Sequence, residues 1–155
     1  MPTIGETAPD FELLNQDSQS VRLKKYRGRK VILFAFPQAN TPNCTAQACG
    51  FRDQFPQIET SGAVVLGISP DKPDTLKRWK QDNKLQYDLL SDPDHNILNE
   101  WYAWGKPVLG IIKLRRTNRS YWVLDEKGVV IDMQLGVSPE QSVTRALNAL
   151  SNPNR

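Results

Sequence analysis

The spacing of apolar residues changes several times along the 155-residue chain, and each change predicts a different element. Residues 31–36 and 63–69 are apolar runs rich in β-branched side chains, which is typical of strands buried on both faces. The polar loop and the helical pattern between them predict a right-handed crossover that joins two parallel strands. Because sites in such sheets form at the carboxyl ends of the strands, chemistry is expected just after residue 36.

Shorter alternating patterns predict the outer strands of the sheet. Apolar and polar positions alternate on both sides of a polar turn at residues 15–20, which predicts an N-terminal β-hairpin. Residues 88–91 predict a short strand, and residues 120–125 and 129–135 predict a second hairpin. Together with the two buried runs, these strands predict an α/β fold with a central mixed β-sheet.

Helical spacing of apolar residues predicts the layers that flank this sheet. The helix after the first buried strand is expected to end at Pro56, since proline disrupts a helix interior. Further helices are predicted over residues 74–83 and 94–102, and a last one begins at Ser138, where the sequence has a capping box. We assign no element and no role to residues 106–118.

The composition is that of an ordinary globular protein, with 39% hydrophobic and 24% charged residues and a net charge of +3. The length predicts a single domain over residues 1–155. No apolar run reaches the roughly 20 residues that span a bilayer, and the N-terminus lacks the pattern of a signal peptide. We therefore expect a cytoplasmic protein without a membrane partner. The basic cluster at residues 24–30 lacks interleaved aromatic residues, so we interpret it as a solvated loop and expect no nucleic-acid partner.

Both cysteines of the chain, Cys44 and Cys49, follow the first buried strand. Thr41 has the residue type of an N-cap, whose hydroxyl accepts a hydrogen bond from an amide of the first turn, and Pro42 suits the first helical position. Cys44 then lies in the first turn, where free amide groups and the helix dipole favour an anion. A thiol in such a place ionises more readily, and the thiolate is the form that attacks.

The spacing of the two cysteines constrains any disulfide between them. Five residues of regular helix correspond to a rotation of about 140° and a rise of about 7.5 Å, so the Cα atoms lie roughly 8.5–9 Å apart. This exceeds the limit of about 7 Å for a disulfide. If both cysteines share one intact helix, an oxidised Cys44 reaches Cys49 only after part of that helix unwinds.

Other interpretations of the cysteines remain open at this point. A cysteine picked at random is more often a small buried hydrophobe than a nucleophile. Two cysteines and the single His95 give too few ligands, at the wrong spacing, for zinc, and a thioredoxin-type redox pair has only two intervening residues. His95 has no cysteine or carboxylate motif around it, so we interpret it as a surface residue.

The stretch around the cysteines resembles a known family. Pro37, Thr41 and Cys44 match the P-x-x-x-T-x-x-C signature of peroxiredoxins, and the run TPNCTAQACGFRD, which contains Cys49, resembles the peroxiredoxin Q type, also called bacterioferritin comigratory protein. The resemblance covers nearly the whole chain. Four more segments carry it: APDFELLNQ at 8–16, VVLGISPDKP at 64–73, LLSDPD at 89–94 and RSYWVLDEKG at 119–128.

This resemblance implies a thioredoxin-like fold and the reduction of hydrogen peroxide and organic hydroperoxides. Cys44 would be oxidised to a sulfenic acid, and Cys49 would condense with it to an intramolecular disulfide. A thioredoxin-like protein would restore both thiols by exchange. Sulfur carries the oxidation, so no metal and no organic cofactor is expected, and many proteins of this type act as monomers.

The resemblance also implies supporting residues. Arg119, at the start of the strand over residues 120–125, matches the arginine that stabilises the thiolate and holds the peroxide oxygens. With Arg115 and Arg116 close by in the sequence, a plain surface charge is the alternative interpretation. Thr41 would accept a hydrogen bond from the peroxide or orient the thiolate, and Pro37 would shield the thiolate from water.

Two residues depart from the commonest family pattern. Asn43 replaces the usual glycine before the first cysteine, which makes the approach to Cys44 bulkier. Gln47 stands where many relatives have glutamate, which removes a negative charge near the thiolate.

Two functions from other classes also fit the cysteine pair. One is a redox-sensing interaction protein, in which a Cys44–Cys49 disulfide switches a binding surface. The other is a thiol–disulfide oxidoreductase that acts on protein substrates.

Overall fold

The structure is a computed structural model that describes residues 2–105, 107–108, 112–113 and 117–151. Its centre is a seven-stranded mixed sheet, and a separate two-stranded pair lies outside it. The strands are β1 (Glu12–Asn15), β2 (Ser20–Arg22), β3 (Val31–Ala35), β4 (Val64–Ser69), β5 (Asp88–Ser91), β6 (Pro107–Val108), β7 (Ile112–Lys113), β8 (Ser120–Leu124) and β9 (Val130–Leu135). The helices are α1 (Pro42–Asp53), α2 (Phe55–Thr60), α3 (Pro73–Asp82), α4 (Asn96–Glu100) and α5 (Pro139–Ser151).

The order of strands in the sheet is β2-β1-β5-β4-β3-β8-β9. Strand β3 pairs in parallel with β4, and β4 pairs in parallel with β5, so the predicted parallel pairing of the two buried strands is confirmed. On its other side β3 pairs antiparallel with β8, which forms the predicted hairpin with β9. The N-terminal hairpin of β1 and β2 joins the sheet through an antiparallel pairing of β1 with β5. The predicted thioredoxin-like α/β architecture is therefore confirmed.

Two apolar cores lie on the two faces of this sheet, because alternate side chains of β3 point in opposite directions. Ile32 and Phe34 pack into the core beneath α1, α3 and α5, whereas Leu33 packs into the core beneath α4. Aromatic rings fill the first core. The rings of Phe34 and Phe51 stack with centroids 4.7 Å apart, so the helix that bears both cysteines is packed directly on the central strand.

The helix after β3 differs from its prediction. Helix α1 ends at Asp53, and α2 begins at Phe55 with Pro56 at its second position. The expectation that Pro56 ends the helix is therefore wrong. Proline has no amide hydrogen to donate, but the first turn of a helix needs none from it, so Pro56 starts a second helix.

The remaining helices agree with the sequence more closely. Helix α3 buries Leu76 and Trp79, and the Ser138 hydroxyl accepts a hydrogen bond from the Gln141 amide at 3.2 Å, as a helix cap does. Helix α4 is shorter than predicted at both ends, and the buried Asp92 carboxylate fixes where it begins by accepting hydrogen bonds from the Asn96 and Leu98 amides. Most of residues 106–118, for which the sequence predicted nothing, lies outside the described residues.

No helix in the described ranges has the length and apolarity needed to cross a lipid bilayer.

Gly67 in β4 offers a test of how tightly the first core is packed. A Cβ atom at this position would lie 2.8 Å from Cδ2 of Leu89 and 3.0 Å from Cζ of Phe34. Overpacking of this kind costs about 1–3 kcal/mol, so we expect Gly67→Ala to lower the free energy of unfolding by that amount in urea denaturation. At the exposed Ala46, the control Ala46→Ser should change it by less than about 0.5 kcal/mol. A Gly67→Ala variant as stable as the wild type would contradict this packing.

Candidate active site

The loop between β3 and α1 lies at the carboxyl end of the central strands, where the fold class predicts a site. A carboxylate at the end of the neighbouring strand fastens this loop. The Asp71 Oδ2 atom accepts a hydrogen bond from the Ala39 amide at 2.7 Å and another from the Ser69 hydroxyl at 2.8 Å. The loop that leads into α1 is therefore positioned by β4 as well as by the strand it follows.

Cys44 is the third residue of α1, in its first turn, as the sequence predicted. Thr41 stands at the N-cap position with an extended backbone. Its hydroxyl does not cap the helix, however, so that part of the prediction is wrong. The Thr41 side chain turns back and donates to the Gln38 carbonyl at 2.8 Å, which leaves the oxygen lone pairs of its hydroxyl available to another donor.

The guanidinium of Arg119 faces the sulfur of Cys44. Arg119 immediately precedes β8, and its Nη2 atom lies 3.3 Å from Cys44 Sγ. Cys44 is only 1% exposed, so little water intervenes between the two groups. Charge interactions are stronger in such surroundings than in bulk water, so the guanidinium is placed to stabilise negative charge that develops at this sulfur during a reaction.

Gln47 holds the other end of the same guanidinium. Its Oε1 atom accepts a hydrogen bond from Arg119 Nη1 at 2.6 Å, and its Nε2 atom donates to the Ser142 hydroxyl of α5 at 3.0 Å. The Ser142 hydroxyl in turn donates to the Pro139 carbonyl at 2.7 Å, so this fully buried amide is fixed from both sides. Because the amide is neutral, it orients Arg119 without taking up its charge.

Within the described residues, Arg119 forms no ion pair with a carboxylate. The positive charge that faces Cys44 is therefore not neutralised by an aspartate or glutamate of the described chain. The departure at Gln47 therefore has a physical consequence. The neutral glutamine leaves the charge of Arg119 uncompensated, whereas a glutamate at this position would neutralise it.

A cleft of about 660 Å³ opens beside Cys44. It is lined by four of the five residues that the sequence assigned to the site: Pro37, Thr41, Cys44 and Arg119. Asn43, the other departure from the family pattern, lies exposed at its edge. The cleft is far larger than the space of roughly 30 Å³ that one water-sized molecule occupies, so it has room for more than hydrogen peroxide.

The cleft also contains an aromatic pair that the site predicted from sequence lacks. His95 and Trp104 both line it, and their rings stack with centroids 3.7 Å apart and planes 15° apart. The interpretation of His95 as a plain surface residue is therefore wrong. The position of His95 in the sequence does indicate a place near the site. His95 closely follows β5, and the carboxyl ends of parallel strands meet at one edge of a sheet.

Cys49, the fifth predicted residue, is not among the residues that line this cleft. It lies further along α1, is half-buried and is a free thiol, as is Cys44. Both cysteines thus belong to one intact helix, which is the arrangement in which a disulfide between them requires unwinding. Arg115 and Arg116, the alternatives to Arg119, lie outside the described residues.

Among the described residues, no three histidine, cysteine, aspartate or glutamate side chains come together as a metal site.

Known proteins match the chain over most of its length. A model of the AhpC/TSA family matches residues 4–133. A putative peroxiredoxin of Mycobacterium tuberculosis is 40% identical over 149 residues, which cover 96% of this chain and 95% of that protein. The crystal structure of peroxidoxin BcpB from the same species is 30% identical, with a TM-score of 0.88 over 100% of this chain and 99% of the other. The bacterioferritin comigratory protein of Xanthomonas campestris is 20% identical, with a TM-score of 0.86 over 94% and 92%, and shares the fold.

The fold and the site define a thiol enzyme built on a thioredoxin-like sheet. The chain belongs to the AhpC/TSA family and is a peroxiredoxin of the type called Bcp or peroxiredoxin Q. It is accordingly a thiol-dependent peroxidase. The family, the fold and the enzyme class predicted from the sequence are confirmed.

The neutral amide of Gln47 generates a prediction about the reactivity of Cys44. In Gln47→Glu, a buried carboxylate would pair with Arg119 and neutralise part of the charge that faces the sulfur. We expect Cys44 to react with iodoacetamide three- to tenfold more slowly at pH 7, because less positive charge then faces its sulfur; this factor corresponds to about 1 kcal/mol. The measurement is the alkylation rate at pH 7 in a Cys49→Ser background.

Gln38→Glu is the matched control for this experiment. It adds the same charge to the exposed edge of the same cleft, where water and salt screen it, so the rate should change less than twofold. An unchanged alkylation rate in Gln47→Glu, or equal changes in both variants, would show that the buried amide does not control the charge that faces Cys44.

Proposed function

We propose that Cys44 is the residue with which this peroxiredoxin attacks hydrogen peroxide and organic hydroperoxides. The observation that carries this proposal is the 3.3 Å contact between its sulfur and Arg119 Nη2 at the edge of an open cleft. The Cys44 thiolate attacks one peroxide oxygen, and the O–O bond breaks. The sulfur is oxidised to sulfenic acid, and the other oxygen leaves as an alkoxide or hydroxide that takes up a proton.

Three neighbours assist this step in the proposed mechanism. Arg119 holds the peroxide oxygens and stabilises the negative charge that moves onto the leaving oxygen. The Thr41 hydroxyl, which donates to the Gln38 carbonyl, accepts a hydrogen bond from the peroxide and so orients it. Pro37, at the edge of the cleft, shields the thiolate from water.

The shape of the cleft supports organic hydroperoxides as substrates besides hydrogen peroxide. Its 660 Å³ accommodates an alkyl or aryl group, and the stacked rings of His95 and Trp104 give that group a flat surface to contact. The bacterioferritin comigratory protein of Xanthomonas campestris is itself described as having alkyl peroxide reduction activity.

Cys49 completes the proposed cycle. After α1 opens locally, its sulfur displaces the hydroxyl of the Cys44 sulfenic acid, an intramolecular disulfide forms, and water leaves. A thioredoxin-like protein restores both thiols by thiol–disulfide exchange, so no metal or organic cofactor takes part. We place this cycle in a monomer in the cytoplasm, where cysteines are kept reduced, with no nucleic acid or membrane as partner.

The proposal is tested by NADPH consumption in the presence of peroxide, thioredoxin and thioredoxin reductase. We expect sustained consumption by the wild type and none by Cys44→Ser, which lacks the attacking sulfur. Cys49→Ser should show no sustained NADPH consumption, because its sulfenic acid cannot form the intramolecular disulfide and is only oxidised further by excess peroxide. Circular dichroism of both variants controls for folding.

The outcomes separate the functions that the cysteine pair permits. A single stoichiometric oxidation of the wild type without continued turnover would favour a redox switch and contradict the peroxidase cycle. Turnover with dithiothreitol but not with thioredoxin would leave Cys44 and Cys49 in their roles and contradict only the proposed reductant.

A further inference from the structure

The thiol of Cys49 has a specific partner outside its own helix. Its Sγ atom donates a hydrogen bond to Oδ1 of Asn83, at the C-terminal end of α3, over 3.8 Å. The Asn83 amide is itself oriented, because its Nδ2 atom donates to the Trp79 carbonyl at 3.0 Å. The amide oxygen, rather than the amide nitrogen, therefore faces the sulfur. An amide oxygen accepts a hydrogen bond from a thiol, so this contact holds the Cys49 side chain in its place in the folded helix.

Further bonds fasten α1 to the same part of the protein. Arg52 lies one turn beyond Cys49, and its Nη1 atom donates to the Asn83 carbonyl at 2.9 Å. The Gln86 side chain donates to the Arg52 carbonyl at 3.2 Å. The hydroxyl of Tyr87 donates to the Ala48 carbonyl at 2.7 Å. Complete burial raises the pKa of Tyr87 well above its ordinary value, which keeps this hydroxyl protonated and able to donate.

These bonds cluster on the part of α1 that carries Cys49. The first two residues of the helix, Pro42 and Asn43, are instead exposed to solvent. Cys49 thus cannot leave its place or lose its proton without giving up the contact with Asn83. Any disulfide between the two cysteines needs such a movement, because both belong to one intact helix.

We propose that Asn83 is a positioning residue for the resolving step, which holds Cys49 as a thiol in the folded helix until its release permits disulfide formation. This inference rests on the proposed function, in which Cys49 resolves the sulfenic acid of Cys44. On release, Cys49 loses its proton and attacks the Cys44 sulfur. The S–O bond breaks, and the departing hydroxide takes up a proton to give water.

A second peroxide molecule competes with this step. It oxidises the sulfenic acid of Cys44 to a sulfinic acid and is itself reduced to an alcohol or to water. The slower Cys49 is released, the more of Cys44 takes this irreversible route. Asn83 thereby sets how much peroxide the enzyme tolerates before it is inactivated.

Two substitutions of Asn83 test whether its side-chain oxygen, the acceptor of the Cys49 hydrogen bond, is responsible. Asn83→Ala removes the oxygen that binds the thiol, whereas Asn83→Asp keeps an oxygen there and opposes the thiolate more strongly. Both variants lose the bond to the Trp79 carbonyl and keep the backbone carbonyl that binds Arg52, so a general loosening of the region would affect them alike. In Asn83→Ala we expect disulfide formation about three- to tenfold faster than in the wild type, and a smaller sulfinic fraction. In Asn83→Asp we expect formation no faster than in the wild type, and a sulfinic fraction at least as large.

The experiment oxidises the reduced full-length protein with cumene hydroperoxide over a range of concentrations. Samples are quenched with acid at successive times, free thiols are alkylated, and intact masses give the sulfenic, disulfide and sulfinic fractions. The rate of the first oxidation of Cys44 is read from the same samples and should be equal in all three proteins. Trp79, whose indole nitrogen donates to the Thr45 hydroxyl of α1 at 3.2 Å, provides a fluorescence signal for the opening of the helix.

The outcomes distinguish this inference from the proposed function beneath it. If the wild type forms the disulfide but Asn83→Ala has the same rate and the same sulfinic fraction, the inference fails and the proposed function stands. Equal acceleration in Asn83→Ala and Asn83→Asp would also overturn it, because the acceptor would then not matter. A wild type that forms no Cys44–Cys49 disulfide would overturn both.

Discussion

One helix carries both cysteines of this protein, and its geometry keeps their sulfurs apart. In intact α1, Cys49 lies five positions after Cys44, a spacing at which a disulfide cannot close. In the proposed cycle, the conformation of α1 in which Cys44 attacks peroxide must therefore differ from the one in which the two cysteines are joined. The contacts between α1 and the rest of the protein matter for this reason, because they stabilise the folded helix and must be broken when it opens.

In the folded state, the helix is held from two sides. Gln47 connects it to α5 through Ser142 and, at the same time, aims Arg119 at Cys44. On the opposite side, Asn83 and Tyr87 connect it to the segment between α3 and β5. In our proposals, the contacts with Gln47 serve the attack on peroxide, and those with Asn83 serve the step that follows. Each net hydrogen bond is worth only about 1 kcal/mol, so a few of them can position Cys44 without making local opening of the helix prohibitively costly.

Much of the fold was predictable from local sequence. The apolar runs at 31–36 and 63–69 are strands buried on both faces, and Pro42 places Cys44 in the first helical turn. These features depend on neighbours in the chain, which is why pattern alone predicts them. Arg119 is different, because its place opposite Cys44 was expected only from the family resemblance.

The contacts that escaped prediction leave no mark on the local sequence pattern. Gln47 is a polar residue whose burial depends on Arg119 and Ser142, which lie 72 and 95 positions away. His95 enters the cleft because it stacks on Trp104, and no local pattern shows that pairing. The hydroxyl of Thr41 turned away from the helix it was expected to cap. The partners of Gln47 and His95 are brought within reach by the tertiary structure, whereas Thr41 bonds to the nearby Gln38 carbonyl, an alternative to capping that residue type alone does not reveal.

Hydrogen exchange along α1 tests the central claim most directly. It compares backbone amide protection in the reduced protein with that in the protein carrying the Cys44–Cys49 disulfide. The account predicts that amides of residues 45–53 exchange at least about tenfold faster in the disulfide form, because their helical hydrogen bonds are broken, while those of α5 keep their protection. A disulfide verified by mass in a protein whose α1 amides remain fully protected would contradict it.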